Sequence, residues 1–495
     1  MAINYTALGL ALPDDGTTGW GDEYRDSMNA LSAILSEREL VNGVMTGLEA
    51  TDGGSLQVDY SAGTAWVSGC FYNISASNLT ATGVTGSETL KRNFVSVSAA
   101  GAVQISTSIP TAAVALIAIV DCTASAISAI YDLRQVPIVR QNLIRNPGFD
   151  VSQKYGTGYA SDSDILNQAA YSYMTADRWG FLNTSDATMK IYSARTGSAY
   201  YPTQLESGAV VTRGMTIENT THDDSIGASQ YSFIVHKMDE NYSRQLSGKK
   251  TRLSFWTKCG LAGTYSVSIN ISSKSFVTTF DISSADVTTG WVKKFVTIDF
   301  DPSISMAGVS VRIRWFLSCG STYHAPSLDE WNTGTYYAAA AQANYHATAV
   351  GTTPFMIAQP KLEIGDEATP FSQGEYSEEL EFCRQYYQKI VQPGGTGYYG
   401  GTGINYGTTL AEIPIILKEP MVSVDEIETS GSFSLLDSGG IHSATSVNQS
   451  VGDFPMSFDL RSVWIACVSA DSLTPGPTIL RTTSGASIEF WSYSS

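Results

Sequence analysis

The residues from 56 to 134 alternate between apolar and polar positions with a period of two. The apolar positions are Leu56, Val58 and Tyr60 before a turn at Ala62-Gly63 and Ala65 and Val67 after it, then Val95 and Val97 before a turn at Ala100-Gly101 and Val103 and Ile105 after it. This pattern predicts two hairpins with polar outer faces. Residues 114–120 are apolar throughout, which predicts a central strand buried on both sides.

The longer stretch from residue 142 to about 371 carries more strand patterns, separated by clusters of turn residues. The clearest fall at residues 252–258, 265–271, 291–300 and 309–316. No long helical pattern intervenes, so we expect a two-sheet sandwich, in particular a jelly roll. The last hundred residues predict further strands at 413–417, 463–468 and 488–491. A sustained short repeat is missing, which disfavours a parallel β-helix.

Two segments follow a helical period instead. After a turn at residues 13–16 and an N-cap at Asp22, an apolar seam falls on Tyr24, Met28, Leu31 and Leu35. This short helix either docks on its own domain or pairs with other copies, and the pattern favours neither.

A second helix is predicted over residues 377–389. Ser377 is placed as its N-cap, Glu378 and Glu379 lie at its positive end, and the residues Leu380, Cys383 and Tyr387 form its apolar stripe. Pro393-Gly394-Gly395 after it predicts a linker. The nominal G-x-G-x-x-G match at residues 395–400 follows a helix rather than a strand, so we interpret it as flexible linker and not as a dinucleotide site.

Composition and charge narrow the function classes. The chain has 495 residues, with 29 Lys+Arg against 47 Asp+Glu, so its formal net charge is −18. Such an acidic chain is not expected to track the phosphates of a nucleic acid. Low charge content with many Gly, Thr, Ser and Tyr residues agrees with a mainly β protein of several domains.

The six cysteines are widely spaced and form no C-x-x-C pair, so we expect free, buried thiols. The N-terminus lacks the features of a signal peptide and no apolar run approaches the length of a membrane helix, which predicts a protein made in a reducing cytoplasm.

The sequence contains little that indicates a catalytic site. The five histidines show no H-E-x-x-H spacing, and G-x-S-x-G does not occur. Adjacent acids occur at Asp223-Asp224, Asp239-Glu240 and Asp329-Glu330. A glycosidase needs two carboxylates facing one bond, whereas neighbours on a strand point to opposite faces, so we interpret all three pairs as solvated surface acids. Asp299 and Asp301 share a strand face and are compatible with a calcium site, although a strand end with turn acids fits them better. We therefore expect no catalytic residues, no bound metal and no cofactor.

The most suggestive stretch is the polar, aromatic loop at residues 321–348. Sugars stack their C–H faces on aromatic rings and need amide and carboxylate partners for their hydroxyls, and this loop supplies both. The alternative is that the rings fill the sandwich core or a subunit contact. The candidate glycan-binding residues are Tyr323, His324, Trp331, Asn332, Tyr336, Tyr337, Asn344 and Tyr345.

Several motifs together resemble bacteriophage tail-fibre and receptor-binding proteins. They cover roughly half of the chain and are residues 142–149 (NLIRNPGF), 176–179 (ADRW), 253–256 (LSFW), the loop from Trp331 to Asn344, and residues 361–371 (KLEIGDEATPF) with Tyr376, Glu379-Leu380, Cys383-Arg384 and residues 386–388 after them. The resemblance implies a homotrimeric virion fibre whose jelly roll is similar to carbohydrate-binding modules.

The same resemblance implies different roles for successive segments of the chain. Residues 1–50, with Gly16 to Trp20, are similar to a virion-attachment end that joins other tail or baseplate proteins, and residues 51–140 are similar to a shaft or shoulder domain. Residues 141–372 are the jelly roll, 373–392 a connecting helix and 393–495 a C-terminal β domain at the tip or in trimerisation. The expected partner is a host cell-surface glycan, bound without cleavage and without membrane insertion.

Two other functions stay open at this point. A structural fibre or collar adaptor would use the same loop to bind virion proteins. A polysaccharide depolymerase would need a carboxylate pair in a groove.

Overall fold

The computed structural model describes residues 41–495 except 88, 109, 111–113, 138, 155–164, 167–171, 174–175, 196–212, 272, 307–308, 349–352, 392–396, 406–407, 422–425, 450–461, 470–471, 483–485 and 492–495. The predicted N-terminal helix, the turn before it, the motif from Gly16 to Trp20 and the linker at residues 393–395 lie outside the described residues. The chain is mainly β, as predicted. It divides into two compact units, of which the first holds the described residues up to Gln141 with Glu363–Ser372, and the second holds the remainder.

The first unit is built from ten short strands: β1 (Gly43–Gly47), β2 (Ala50–Gly54), β3 (Gln57–Tyr60), β4 (Gly63–Val67), β5 (Cys70–Ile74), β6 (Ser77–Thr80), β7 (Lys91–Val97), β8 (Val103–Ser106), β9 (Ala115–Cys122) and β10 (Ile127–Asp132). They form three sheets, ordered β1-β4-β5, β2-β3-β6 and β10-β9-β7-β8. The predicted hairpin of β7 and β8 is confirmed, with Val97 opposite Val103. The apolar strand β9 is central to its sheet, as predicted.

The predicted hairpin at Ala62-Gly63 is wrong. Strand β3 pairs with β2 and β6, whereas β4 pairs with β1 and β5, so the turn carries the chain from one sheet to another. Alternation fixes which face of a strand is buried but not which strand lies beside it. Gly63 serves the new pairing, because a Cβ there would lie 2.3 Å from the carbonyl oxygen of Thr46 on β1.

The second unit begins with a two-sheet sandwich. Its strands are β11 (Ile165–Leu166), β12 (Ser172–Tyr173), β13 (Trp179–Asn183), β14 (Thr188–Arg195), β15 (Arg213–Thr221), β16 (Tyr231–Lys237), β17 (Lys250–Lys258), β18 (Gly263–Ile271), β19 (Lys274–Ile282), β20 (Val292–Asp299), β21 (Arg312–Cys319), β22 (Trp331–Thr333) and β23 (Phe355–Ile364), with short helices α1 (Glu240–Arg244) and α2 (Ser284–Thr289). One sheet runs β11-β14-β15-β23-β17-β20 and the other β12-β13-β16-β21-β18-β19-β22. The predicted sandwich and its four clearest strands are confirmed.

Aromatic rings fill the space between the two sheets. Trp179 and Trp315 of the seven-stranded sheet are fully buried with ring centroids 5.6 Å apart, and Phe255 of the six-stranded sheet meets Trp315 edge-on at 5.9 Å. His236 packs on Trp179 at 4.8 Å. Because successive side chains of a strand point to opposite faces, these core positions leave Phe233, Val235, Arg314 and their neighbours on the outer face of the seven-stranded sheet.

A helix and a barrel complete the second unit. They are α3 (Tyr376–Arg384) and strands β24 (Tyr387–Val391), β25 (Gly397–Asn405), β26 (Leu410–Ile416), β27 (Glu426–Ser430), β28 (Phe433–Asp437), β29 (Gly440–Gln449), β30 (Ser462–Ser469), β31 (Gly476–Thr482) and β32 (Ser487–Trp491). Strands β25-β26-β30-β29-β28-β31 close into a barrel, and β24-β32-β27 form a separate sheet. The three strands predicted in this region are confirmed.

The predicted second helix is corrected at both ends. Glu375 rather than Ser377 occupies the N-cap, and the helix stops at Arg384 because Tyr387–Val391 pairs with Ser487–Trp491. Its buried residues are Glu379 and Cys383, not a purely apolar stripe. The linker interpretation of residues 395–400 is wrong for residues 397–400, which begin strand β25 of the barrel.

Helix α3 is held to the sandwich by an ionic cluster, which we define as Arg145, Arg178, Asp239 and Glu379. Arg178 Nη2 lies 3.0 Å from Asp239 Oδ1, and Arg145 lies 3.8 Å from Asp239 and 3.7 Å from Glu379. Glu379 also accepts the backbone N–H of Asn146 at 2.7 Å. Two cations and two carboxylates therefore compensate each other out of water.

Aromatic rings of α3 and its C-terminal end cover the two guanidinium groups. The Arg145 Cζ atom lies 3.6 Å from the centroid of the Phe382 ring, and Arg178 Cζ lies 3.5 Å from that of Tyr386. Burial raises the pKa of Glu379, although the Asn146 N–H and Arg145 oppose the shift. The motifs that suggested a family resemblance, residues 142–149, 176–179 and 379–383, thus meet in one structural joint.

All six cysteines are free, as predicted, and five of them are buried, with Cys70 partly exposed. No helix in the described part of the chain is long and apolar enough to cross a membrane.

Candidate functional site

The outer face of the seven-stranded sheet is covered by the predicted aromatic loop. Polar side chains on β18 and β19 tie the loop down: Ser266 Oγ accepts the N–H of Ala339 at 2.9 Å, and Asn270 donates to the carbonyl oxygen of Tyr336 at 3.1 Å. Ser275 donates to the carbonyl oxygen of Gly334 at 2.6 Å and accepts the N–H of Tyr336. The loop is therefore a fixed layer on the sheet, with a defined outer surface.

At one end of this layer five rings come together, and we name them the aromatic cluster: Tyr231 and Phe233 on β16, Phe316 on β21, and Tyr323 and Tyr337 in the loop. Tyr323 and Tyr337 stack with ring centroids 4.7 Å apart and an interplanar angle of 25°. Tyr337 also stacks on Phe316 at 5.5 Å and meets Tyr231 edge-on at 5.1 Å.

The aromatic cluster has a buried floor and a half-exposed rim. Phe233 and Phe316 are 2% and 0% exposed, whereas Tyr231, Tyr323 and Tyr337 are partly open to solvent. Arg314 lies beside the floor, with its Cζ atom 5.4 Å from the Phe233 centroid and 5.7 Å from the Tyr337 centroid. Its Nη1 atom donates to Asn270 Oδ1. Rings, a cation and an amide group thus share one surface.

The predicted site residues separate into two groups. Tyr323 and Tyr337 belong to the aromatic cluster, with Tyr336 and His324 next to them in the chain. Tyr336 is half-buried and His324 lies within 3.3 Å of the carbonyl oxygen of Cys319.

The other four predicted residues lie elsewhere. Trp331 packs against Phe276 and Phe300 and donates to the carbonyl oxygen of Asp299 at 2.7 Å. Asn332 donates to backbone carbonyls within its own turn, and Asn344 accepts the N–H of His346.

Tyr345 belongs to the sandwich core rather than to the loop surface. It is 1% exposed, and its hydroxyl donates to the carbonyl oxygen of Ile217 at 2.9 Å and accepts the N–H of Phe355 at 3.1 Å. Tyr345 therefore bridges β15 and β23.

Sequence reasoning missed Tyr231, Phe233, Phe316, Arg314 and Asn270. The usable signal was the alternation of large side chains along residues 231–235 and 312–316. On β16 and β21 the outward-facing Phe233, Phe316 and Arg314 are buried, so the outer face of this sheet is covered as well.

Removing the Tyr345 hydroxyl is expected to destabilise the second unit. In Tyr345→Phe the N–H of Phe355 loses its acceptor in the core, so the free energy of unfolding should fall by about 1–3 kcal/mol. Chemical denaturation followed by tryptophan fluorescence measures the change. The matched variant Tyr376→Phe, at a tyrosine that is 51% exposed, should change little, and an equal loss in both variants would contradict the assignment.

His346 is buried beside Tyr345, and its Nδ1 atom donates to Asn219 Oδ1 at 2.9 Å. Burial lowers the pKa of His346 from 6.5 to about 4, with Asp223 opposing the shift. Between these values the unfolded chain binds a proton that the folded chain does not, so stability is lost as the pH falls from about 6.5 towards 4.

His346→Gln isolates this contribution. We expect the wild type to lose up to about 1.4 kcal/mol per pH unit more than the variant on acidification through this window. Denaturation curves of both proteins at pH 7.0, 6.0 and 5.0 provide the test. Parallel pH dependences of the two proteins would show that His346 titrates normally.

Comparison with known proteins gives weak structural likenesses only. No family model and no curated protein matches the chain. A tailspike protein 4 domain of bacteriophage CBA120, described as enzymatically active, aligns with 38% of this chain at 7% identity and a TM-score of 0.21, and the chain spans 19% of that domain's length. A family 4 carbohydrate-binding module aligns with 43% of this chain and 100% of its own length at 11% identity and a TM-score of 0.22.

A family 11 carbohydrate-binding module from a cellulase of Clostridium thermocellum gives a similar result, with 41% of this chain and 98% of the module aligned at 11% identity and a TM-score of 0.20. Likenesses at these identities and TM-scores carry no argument about the function of this chain.

Proposed function

We propose that this chain is a phage tail-fibre protein that binds a glycan of the host cell surface at the aromatic cluster and does not cleave it. The observation that carries the proposal is the half-exposed tyrosine rim on a fully buried aromatic floor. Pyranose rings present apolar C–H faces that stack on such rings, and the tyrosine hydroxyls offer hydrogen bonds to the sugar.

The rigidity of the aromatic cluster favours binding of this kind. Tyr337 is held between Phe316 and Tyr323, and the backbone next to it is anchored to Asn270 and Ser275. A preformed surface loses little conformational entropy when a flexible glycan binds. Repetition of one weak site in several copies of the fibre would then raise the overall affinity through avidity.

The acid pairs found in the sequence take structural positions, which supports the non-enzymatic part of the proposal. Asp223 accepts the N–H groups of Asp186 and Ser225, and Asp239 belongs to the ionic cluster. Asp329 and Glu330 are both exposed in a turn. The carboxylate of Asp301 accepts the N–H of Ser303, and the main-chain oxygen of Asp299 accepts from Trp331.

The fibre part of the proposal includes a homotrimer, attachment to other tail or baseplate proteins through residues 1–50, and a place in the virion. The barrel offers support for contact between copies. Its outer surface carries an aliphatic patch in which Ile479 and Ile441 both pair with Leu436, and Ile404 pairs with Pro477. Ile404 and Ile441 are 46% and 57% exposed. Aliphatic surface without polar partners suits a protein contact better than a sugar.

A glycan array and a product analysis test the proposal together. The full chain should be retained by a defined set of bacterial surface polysaccharides, and these should keep their molecular mass and gain no reducing ends after long incubation. Native mass spectrometry should give three copies. A blank array with intact trimer would favour a structural adaptor, and release of oligosaccharides would show a depolymerase.

A further inference from the structure

The outer face of the seven-stranded sheet carries a group of cations in an acidic protein. Lys237 on β16 lies directly opposite Arg312 on β21, and Arg314 follows on the same face of β21. The chain as a whole has a net charge of −18, so three basic side chains on one face differ in sign from the net charge of the protein.

Arg314 is the cation that borders the aromatic cluster. It is 7% exposed, and its Nε atom has no hydrogen-bond partner. Within the described part of the chain the Arg314 side chain forms no ion pair; it donates to Asn270 and lies near the rings of Phe233 and Tyr337. A desolvated guanidinium without a carboxylate is costly unless an anion joins it.

We propose that the glycan bound at the aromatic cluster is acidic, with an oxyanion that pairs with Arg314 while its sugar ring stacks on Tyr323, which ends the stack of Phe316, Tyr337 and Tyr323. This inference rests on the proposed function and names its ligand class. A guanidinium group presents parallel N–H donors that match the two oxygens of a sugar carboxylate, and it also accepts a sulfate. A neutral sugar would leave the buried Arg314 without a counter-ion.

The experiment compares three forms of one polysaccharide on the full chain: a uronic acid polymer, the same polymer with its carboxyl groups reduced to alcohols, and the reduced polymer after sulfation. The wild type should bind the acidic polymer at least about tenfold more tightly than the reduced one, as charge-assisted hydrogen bonds predict. In Arg314→Gln this difference should disappear, because affinity for the acidic polymer falls to that for the reduced polymer.

Two further variants keep the test independent of folding. Arg314→Lys retains the charge and should keep part of the preference for the acidic polymer. Arg244→Gln, at an exposed arginine paired with Glu240 on α1, should keep all of it. Thermal unfolding verifies that each variant is folded, and if Arg314→Gln does not fold, the wild-type ratio and Arg314→Lys decide the matter.

Each outcome has a fixed meaning. Strong binding of the sulfated polymer that is lost in Arg314→Gln supports an oxyanion and places it on a sulfate. Equal binding of the acidic and reduced polymers by the wild type overturns the inference and leaves the proposed function intact. A preference for the acidic polymer that is undiminished in Arg314→Gln has the same consequence. Failure of the wild type to bind any polysaccharide on the array removes the proposed function itself.

Discussion

Replacing Tyr337 by alanine is expected to weaken glycan binding by about 30-fold or more. The ring of Tyr337 stacks on Tyr323 and Phe316 at the centre of the aromatic cluster, so its loss removes the ring that supports Tyr323, on which the sugar stacks. Central aromatic anchors in binding surfaces contribute about 2 kcal/mol or more on truncation, which corresponds to that change in affinity. Binding of the full chain to an immobilised polysaccharide measures it.

Two variants separate this effect from a general loss of structure. Tyr337→Phe keeps the ring and should retain most of the affinity. Tyr131→Ala removes a tyrosine that is 36% exposed on β10 of the first unit and should bind as the wild type does. If Tyr337→Ala is folded and binds with unchanged affinity, the aromatic cluster is not the glycan site.

Replacing Asp239 by alanine should lower the free energy of unfolding of the second unit by about 3–5 kcal/mol. Asp239 is the carboxylate shared by Arg145 and Arg178, so both guanidinium groups would lose a counter-ion in a buried place. Arg178 also has a φ of 73°, a conformation that an arginine adopts only where its surroundings hold it there. Chemical denaturation followed by the fluorescence of the buried tryptophans measures the loss.

Asp224 provides the matched control. Its side chain is 74% exposed and pairs with His222 in water, so Asp224→Ala should change stability by less than about 1 kcal/mol. A similarly small loss in Asp239→Ala would mean that water or neighbouring groups replace the carboxylate. The joint between the sandwich and α3 would then rest on ring packing alone.

Much of the fold was predictable because alternation along a strand reports burial directly. Strands of the sandwich were found where apolar residues recur at every second position, as in Gly263–Ile271, and strands of the barrel where apolar residues are nearly continuous, as at 463–468. Strand partners were not predictable from the same signal. Gly63 was expected to turn β3 back onto β4, but β4 pairs with β1, with Gly63 opposite Gly47. The end of α3 was missed because the pairing of Tyr387–Val391 with Ser487–Trp491 is non-local.

The candidate site was predictable only in part. The density of rings in one loop led to Tyr323 and Tyr337, but composition does not show which rings face the core, and Tyr345 faces it completely. The floor of the aromatic cluster comes from β16 and β21, which lie some eighty residues apart in the chain. Arg314 joins the rings only through this pairing.

The motifs that carried the family resemblance proved to be structural. Asn146, Arg178 and Glu379 form a structural joint rather than a binding surface. Motifs that hold a charge cluster together are easily recognised in a sequence, because few residue types satisfy buried charges. A ligand-binding surface built from tyrosines is much harder to recognise in a sequence.

Covalent mapping of the bound glycan shows whether the aromatic cluster is the binding site. The full chain is irradiated with a photoreactive derivative of a polysaccharide that it retains, digested and sequenced by mass spectrometry. We expect adducts on the peptides that contain Tyr323 and Tyr337, and we expect excess unmodified polysaccharide to suppress them. Adducts confined to the barrel strands, with both of those peptides unlabelled, would contradict it.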